Sequence, residues 1–110
     1  MKKGVLVVVI WVVCTGMGIA SEEGGAIFKS QGCMACHRPH TSSPVNPSLV
    51  EIAQAYQGQS DRLAEYLKGL ADPIVRPDKA HLMRRYLEKT RMLSDEARKA
   101  MAEFIMGHQE

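Results

Sequence analysis

The run Cys33-Met34-Ala35-Cys36-His37 constrains this chain more than any other stretch. Its spacing, Cys-x-x-Cys-His, is the attachment signature of c-type haem. The chemistry accounts for the spacing. Two thiols must add to the two vinyl groups on one edge of a porphyrin, so they must lie one short turn apart. The next residue must then set an imidazole nitrogen on the iron, the proximal ligand that haem proteins take from His. Two other readings compete. A thioredoxin-like redox pair expects a βαβ setting, and no run of β-branched residues follows residue 20. A zinc site could draw on Cys33, Cys36, His37 and His40. Adjacent Cys36 and His37 fit one tetrahedral ion poorly, however, and zinc ligands usually come as two separated pairs. Haem attachment through Cys33 and Cys36, with His37 on the iron, is the favoured reading.

Residues 1–20 stand apart from the rest. Lys2 and Lys3 precede the apolar run 5–13, and Gly18-Ile19-Ala20 places small residues at −3 and −1. This predicts a secretory signal peptide cleaved after Ala20, leaving residues 21–110 as one domain. The rival is an uncleaved anchor over residues 4–20, which carry no charge but contain three glycines and sit at the short limit for a membrane span. Val13 is not the small residue that a lipoprotein signal peptidase expects before Cys14, so Cys14 is expected to leave with the signal. Cys33 and Cys36 are then the remaining cysteines, and in an oxidising compartment they could pair with each other. Haem attachment explains such a pair without a larger disulfide framework. The 14 basic residues, less Lys2 and Lys3, balance the 12 acidic ones, so no global basic field argues for nucleic acid. A domain of this size buries only about 60 to 65% of its unfolded surface; a buried porphyrin would enlarge its core.

The remaining pattern is helical throughout. A first helix is predicted over residues 22–30, where Gly24 and Gly25 serve either a close approach by another helix or a frayed end. Residues 37–47 form a loop punctuated by Pro39, Pro44 and Pro47. A haem-ligating His needs its other nitrogen held by an acceptor. The carbonyl of Pro47 is the candidate, against a bland role for these prolines in stiffening the turn. Leu49, Ile52, Ala53 and Tyr56 share one face of a second helix over 48–56, stopped by Gly58. Ser60 or Asp61 is expected to cap a third, with the stripe Leu63, Tyr66, Leu67 and Leu70, ended by Asp72-Pro73. After a short extended piece over 74–77, a fourth helix is predicted from Lys79 to about Leu87, with Asp78 as its cap. Ser94 caps the last helix, whose stripe is Leu93, Ala97, Ala100, Met101, Phe104 and Ile105, ended by Gly107.

The second axial position has several candidates. A thioether opposite His37 would give a His/Met pair, which raises the reduction potential. Met34 lies between the cysteines and cannot reach the other haem face. Met101 and Met106 fall in the last helix, where methionine is mostly core filler. Met83 has room for the chain to wrap the haem edge and leads. Met92, beside the cap of the last helix, is the rival thioether, and His81 the rival imidazole. His40 falls too close to His37 to serve the opposite face.

These residues carry a resemblance to a family. Gly25-x-x-Phe28 before Cys33-x-x-Cys36-His37, then Asn46-Pro47-x-Leu49-x-x-Ile52-Ala53-x-x-Tyr56-x-Gly58, and finally Leu93-Ser94-Asp95-Glu96-Ala97 to Phe104-Ile105, resemble a small class I cytochrome c over nearly all of residues 21–110. The likeness is greatest to small cytochromes of hydrogen- and sulfur-oxidising thermophilic bacteria, which carry an extra short helix with the distal Met in a segment similar to residues 74–83. The resemblance implies an all-α class I cytochrome c fold: four to five short helices wrapped around one covalently attached haem c, with the N- and C-terminal helices crossing. It implies Met83 as distal ligand, Pro47 as the carbonyl that orients His37, and packing of Gly25 and Phe28 against Phe104. The chain departs from the family in having Asn46 where Gly is usual and Arg85 where many members have Pro.

The expected function is a one-electron carrier in the periplasm, not an enzyme. With both axial positions filled by protein, the iron has no open site for substrate, and the protein sets the potential and presents the haem edge. Lys79, Arg84, Arg85, Lys89 and Arg91 surround Met83 and could form a basic ring for acidic redox partners. The resemblance implies transient partners such as a cytochrome bc1-type complex, a terminal oxidase or sulfur- or hydrogen-oxidising enzymes, and a monomer without stable membrane insertion. The alternatives are a haem subunit fixed in a larger complex, for example a sulfur-oxidising one, and a five-coordinate haem enzyme or sensor.

Overall fold

Five α-helices and two 3₁₀ segments, with no strand, account for the regular structure among the described residues. The structure is a computed structural model that describes Gly4 and residues 16–108, with side chains from Glu22 onward. The apolar run 5–13 and Cys14 lie outside the described residues. The helices are α1 (Gly16–Ser30), α2 (Leu49–Ala55), α3 (Ser60–Leu67), α4 (Arg84–Arg91) and α5 (Asp95–Met106). The 3₁₀ segments are Cys33–Ala35 and Pro77–Met83. No helix among the described residues is long and apolar enough to cross a membrane.

The crossing of α1 and α5 organises the rest. A side chain at Gly24 would collide with the backbone carbonyl of Ala100 and come within 2.9 Å of the Phe104 Cβ. At Gly25 a Cβ would meet the edge of the Phe104 ring, also at 2.9 Å. The paired glycines therefore serve close approach, which offsets the helix propensity they sacrifice. Phe28 then stacks obliquely on Phe104, ring centroids 5.5 Å apart. α1 starts earlier than residue 22, running back to Gly16 through the expected cleavage site.

Serine caps fix two helices; of the two, the sequence reads Ser94 as a cap and places Ser48 inside its helix. The Ser48 hydroxyl accepts from the Glu51 amide at 3.1 Å, and the Ser94 hydroxyl accepts from the Ala97 amide at 3.1 Å, each satisfying an orphan donor of a first turn. Elsewhere the boundaries differ from expectation. Neither Ser60 nor Asp61 caps α3; Gln59 occupies that position without a side-chain bond. α3 stops at Leu67, because Gly69 adopts a left-handed φ of 82°. Leu70 thus falls past the end and is 71% exposed instead of completing the stripe. The predicted helix from Lys79 to Leu87 is two elements, the 3₁₀ segment Pro77–Met83 followed by α4, and Asp78 is not its cap. The preceding Arg76 turns the chain with φ 48° and ψ 63°, and Lys79 N–H closes on the Arg76 carbonyl at 2.9 Å, a 3₁₀ pattern.

The core gathers Phe28, Leu49, Ile52, Tyr56, Leu63, Leu67, Met101, Ala102 and Ile105. Two polar residues inside it tie the C-terminal ends of helices. The Thr90 hydroxyl donates to the Leu67 carbonyl at 2.6 Å, joining α4 to the end of α3. Arg98 is buried, with Nη1 donating to the carbonyls of Thr90 and Arg91 at 3.1 Å and of Leu93, and Nη2 to Asp95. It adds a side-chain donor to carbonyls where the helical ladder of α4 runs out.

Candidate haem cleft

The chain leaves α1 through Gly32, whose φ of 81° makes the turn that starts the 3₁₀ segment at Cys33. The Cys33 carbonyl accepts from Cys36 N–H at 3.2 Å and from His37 N–H at 2.9 Å. One tight turn thus gathers both thiols and the imidazole. Cys33 and His37 are buried, Cys36 is exposed, and both cysteines are free thiols. Burial pushes the Cys33 thiol above its ordinary range; nearby Lys89 opposes the shift and Cys36 adds to it.

His37 is held in one tautomer. Its Nδ1 lies 2.8 Å from the Pro47 carbonyl oxygen. A carbonyl can only accept, so Nδ1 carries the proton and Nε2 keeps its lone pair for a metal. The loop bearing Pro47 is itself pinned. The Ser42 hydroxyl accepts from Ser48 N–H at 2.9 Å, and the Ser43 hydroxyl accepts from Asn46 N–H at 2.9 Å. The first amides of α2 donate back to the loop, Leu49 N–H to the Arg38 carbonyl at 2.9 Å and Val50 N–H to that of Pro39 at 3.1 Å. Asn46 is not at positive φ, so the backbone there does not require the glycine usual in the family.

Cys33, Cys36, His37 and Met83 all line one cleft, of about 1170 Å³ counting its open mouth. Its walls are mostly apolar, with Leu63, Leu67, Met101 and Ile105 among them, and Tyr56, Tyr66 and Tyr86 also border it. Burial raises the Tyr56 and Tyr66 phenols, keeping both neutral at physiological pH. Val45 and Leu82, 43% and 48% exposed, also line it. Buried apolar walls with a few convergent donors are the mark of a cofactor site.

The other candidates fall elsewhere. Met92 is 88% exposed at the end of α4 and does not line the cleft. His40 and His81 are exposed and do not line it either. Among the described residues no three His, Cys, Asp or Glu groups converge as a metal site of their own. Arg85 lies in the first turn of α4, a position that also tolerates Pro. Of the basic residues proposed to ring Met83, all five are exposed, and only Lys79 borders the cleft. Lys89 lies 5.6 Å over the Tyr86 ring, and the Arg91 stem packs on Gly69. Arg76, which also lines the cleft, was not singled out from sequence; its partner Glu51 is 25 residues away and gives no local signal.

The sequence model of the cytochrome c family matches residues 21–109. Cytochrome c-551 of Stutzerimonas stutzeri is 38% identical over 64 residues, which cover 52% of this chain and 61% of that protein. The chain therefore spans less than two thirds of the curated relative it matches. The all-helical architecture is that of a class I cytochrome c.

Proposed function

The chain belongs to the cytochrome c family, whose members carry one covalently attached haem c, and from that premise we propose that it is a one-electron carrier with His37 and Met83 as axial ligands. The observation that carries this reading is the cleft itself, which brings both thiols, a tautomer-fixed imidazole and the Met83 thioether to a single apolar cavity, where the other methionine of the lining, Met101, is a fully buried core residue of α5. The residues fit the group. The Cys33 and Cys36 thiols would add across two vinyl groups, each forming a carbon–sulfur bond while its hydrogen goes to the neighbouring carbon. When bound, haem supplies an iron couple that takes up or releases one electron. His37 would bind the iron through Nε2 and Pro47 would hold the ring. Met83 would close the opposite position, and Leu63, Leu67, Met101 and Ile105 would keep water away. With His37 and Met83 both held to the iron, the chain would leave it no site for substrate, and electron transfer is the chemistry the group would supply; no catalytic residue is assigned.

The finer reading is of a periplasmic carrier, exported by a signal over residues 1–20 and meeting its redox partners transiently. The exposed basic side chains of Lys79, Arg84, Arg85 and Lys89 support docking to acidic partners, such as a bc1-type complex, a terminal oxidase or sulfur- or hydrogen-oxidising enzymes. The 3₁₀ segment ending at Met83 supports a place near the thermophile cytochromes with an extra short helix. Charge reversal at Arg84 and Arg85 should slow partner reduction most at low ionic strength. Rates unchanged across salt would remove these residues from docking.

The deciding experiment is the optical spectrum of the haem-loaded protein. We expect the weak near-infrared sulfur-to-iron band in the oxidised form, lost in Met83→Ala and kept in Met92→Ala. Absence of the band, with ready carbon monoxide binding to the reduced form, would overturn the carrier reading in favour of a haem enzyme or sensor.

A further inference from the structure

Two loops border the cleft. Residues 42–48 carry Pro47, whose carbonyl holds His37. Residues 74–83 lead to Met83. The Arg76 side chain ties the second loop to the first and to α2. The Arg76 guanidinium donates from Nε to Glu51 Oε2 at 2.9 Å and from Nη2 to Glu51 Oε1 at 2.8 Å, a two-pronged match of fork to carboxylate. Its Nη1 donates to the Ser43 carbonyl. Glu51 Oε1 also accepts from the Ser42 hydroxyl at 2.8 Å. A single side chain thus grips α2 and, through Ser42 and Ser43, the loop that ends in Pro47.

The backbone at Arg76 points the same way. It is the one non-glycine residue at positive φ among the described residues, a region that disfavours any Cβ. Glycine would adopt it freely. Arginine there strains the chain and makes sense for what its guanidinium holds. Arg76 also directly precedes the 3₁₀ segment, so its conformation sets the direction in which residues 77–83 leave.

We propose that Arg76 and Glu51 are positioning residues: their ion pair couples the His37 side of the cleft to the Met83 side and holds the Met83 sulfur where it can bind the iron. This rests on the axial assignment proposed above. The pair is suited to the task. The two side chains are only 24% and 35% exposed. The hydrogen bond from Arg76 also holds the Glu51 carboxyl below its ordinary range, so both partners are charged at neutral pH.

The test follows the near-infrared band and the far-ultraviolet helix signal together as the oxidised, haem-loaded full chain is heated. The variants are Glu51→Gln, Arg76→Gly, Arg76→Lys and the Glu51→Gln/Arg76→Gly double. Gly relieves the strain at residue 76 while removing the guanidinium, so a purely conformational role would leave Arg76→Gly no worse than wild type. We expect the band to vanish in Glu51→Gln and Arg76→Gly at temperatures where the helix signal is intact. Arg76→Lys should be intermediate, and the double variant no worse than its worse single, as for one shared interaction. The reduction potential should fall wherever the band is lost, since Met ligation raises it. A band that survives in the variants up to the loss of helix overturns the proposal alone. A band absent from the wild type at every temperature overturns the Met83 assignment and this proposal with it.

Discussion

The α1–α5 crossing and the segment from residue 70 to residue 92 are built by opposite means. At the crossing, shape does the holding: glycines bring backbone against backbone, and Phe28, Ala100, Met101 and Ile105 are buried behind them. Across the cleft, the segment Pro77–Met83 buries no residue, and Leu70 and Met92 face solvent. Ile74 and Val75 pack against the core, and the rest of that side is fixed by directional bonds. Arg76 reaches Glu51, Thr90 reaches the Leu67 carbonyl, and Arg98 reaches the carbonyls at the end of α4. Close packing tolerates few substitutions but needs no partner, whereas a hooked segment depends on single bonds and on whatever fills the cleft beside it.

The comparison can be broken or sharpened by experiment. The largest effect belongs to the group expected to span the two regions. In the Cys33→Ser/Cys36→Ser double variant no haem should stay with the chain under denaturing conditions, read by intact mass against wild type. Next, Met101→Ala at the crossing should lose about 2–5 kcal/mol in denaturant unfolding. The same truncation at Met92, on the hooked side, should stay within about 0.5 kcal/mol. Equal losses at the two sites would erase the contrast. Gly24→Ala should lose about 1–3 kcal/mol, because its new methyl group meets a backbone carbonyl that cannot rotate away. Gly25→Ala should lose less, since the Phe104 ring can shift. The smallest effect is a pH dependence. Glu51 titrates below its ordinary range when folded, so its contribution is present above the unfolded value and is lost as pH falls through the folded one. The stability gap between wild type and Glu51→Gln should therefore close on acidification, and a gap constant across acid pH would show that the carboxylate charge contributes nothing.

The same divide separates what could be read from sequence. The Cys33–His37 turn is legible because its chemistry is confined to five consecutive residues. Ser94 is legible because a cap acts on its own first turn. The two uses weighed for Gly24 and Gly25 are separated only by seeing Ala100 and Phe104 against them. On the hooked side the signals are tertiary. Leu82, Met83, Tyr86 and Leu87 fit an α-helical face, yet the left-handed turn at Arg76 starts a 3₁₀ segment instead. Nothing local marks Arg98 as buried: its i,i+3 partner Asp95 would suit an exposed pair, and the carbonyls it also reaches belong to the preceding helix and loop. The Arg76–Glu51 pair depends on where α2 lies relative to residue 76, which no window of sequence contains.

The place of α5 has a consequence in time. It is the last of the five helices to be made, and it supplies Met101 and Ile105 to the cleft and the carbonyl of Ala100 that Gly24 rests against. Until it emerges, α1 has nothing to cross, Phe28 has no ring to meet, and one wall of the cleft is missing. The cysteines and His37 are synthesised before that wall, so a chain that has not yet made α5 leaves the motif uncovered on that side. Docking of α5 then shuts the cavity. The order of the chain thus makes the wall that α5 supplies the last part of the cleft to appear.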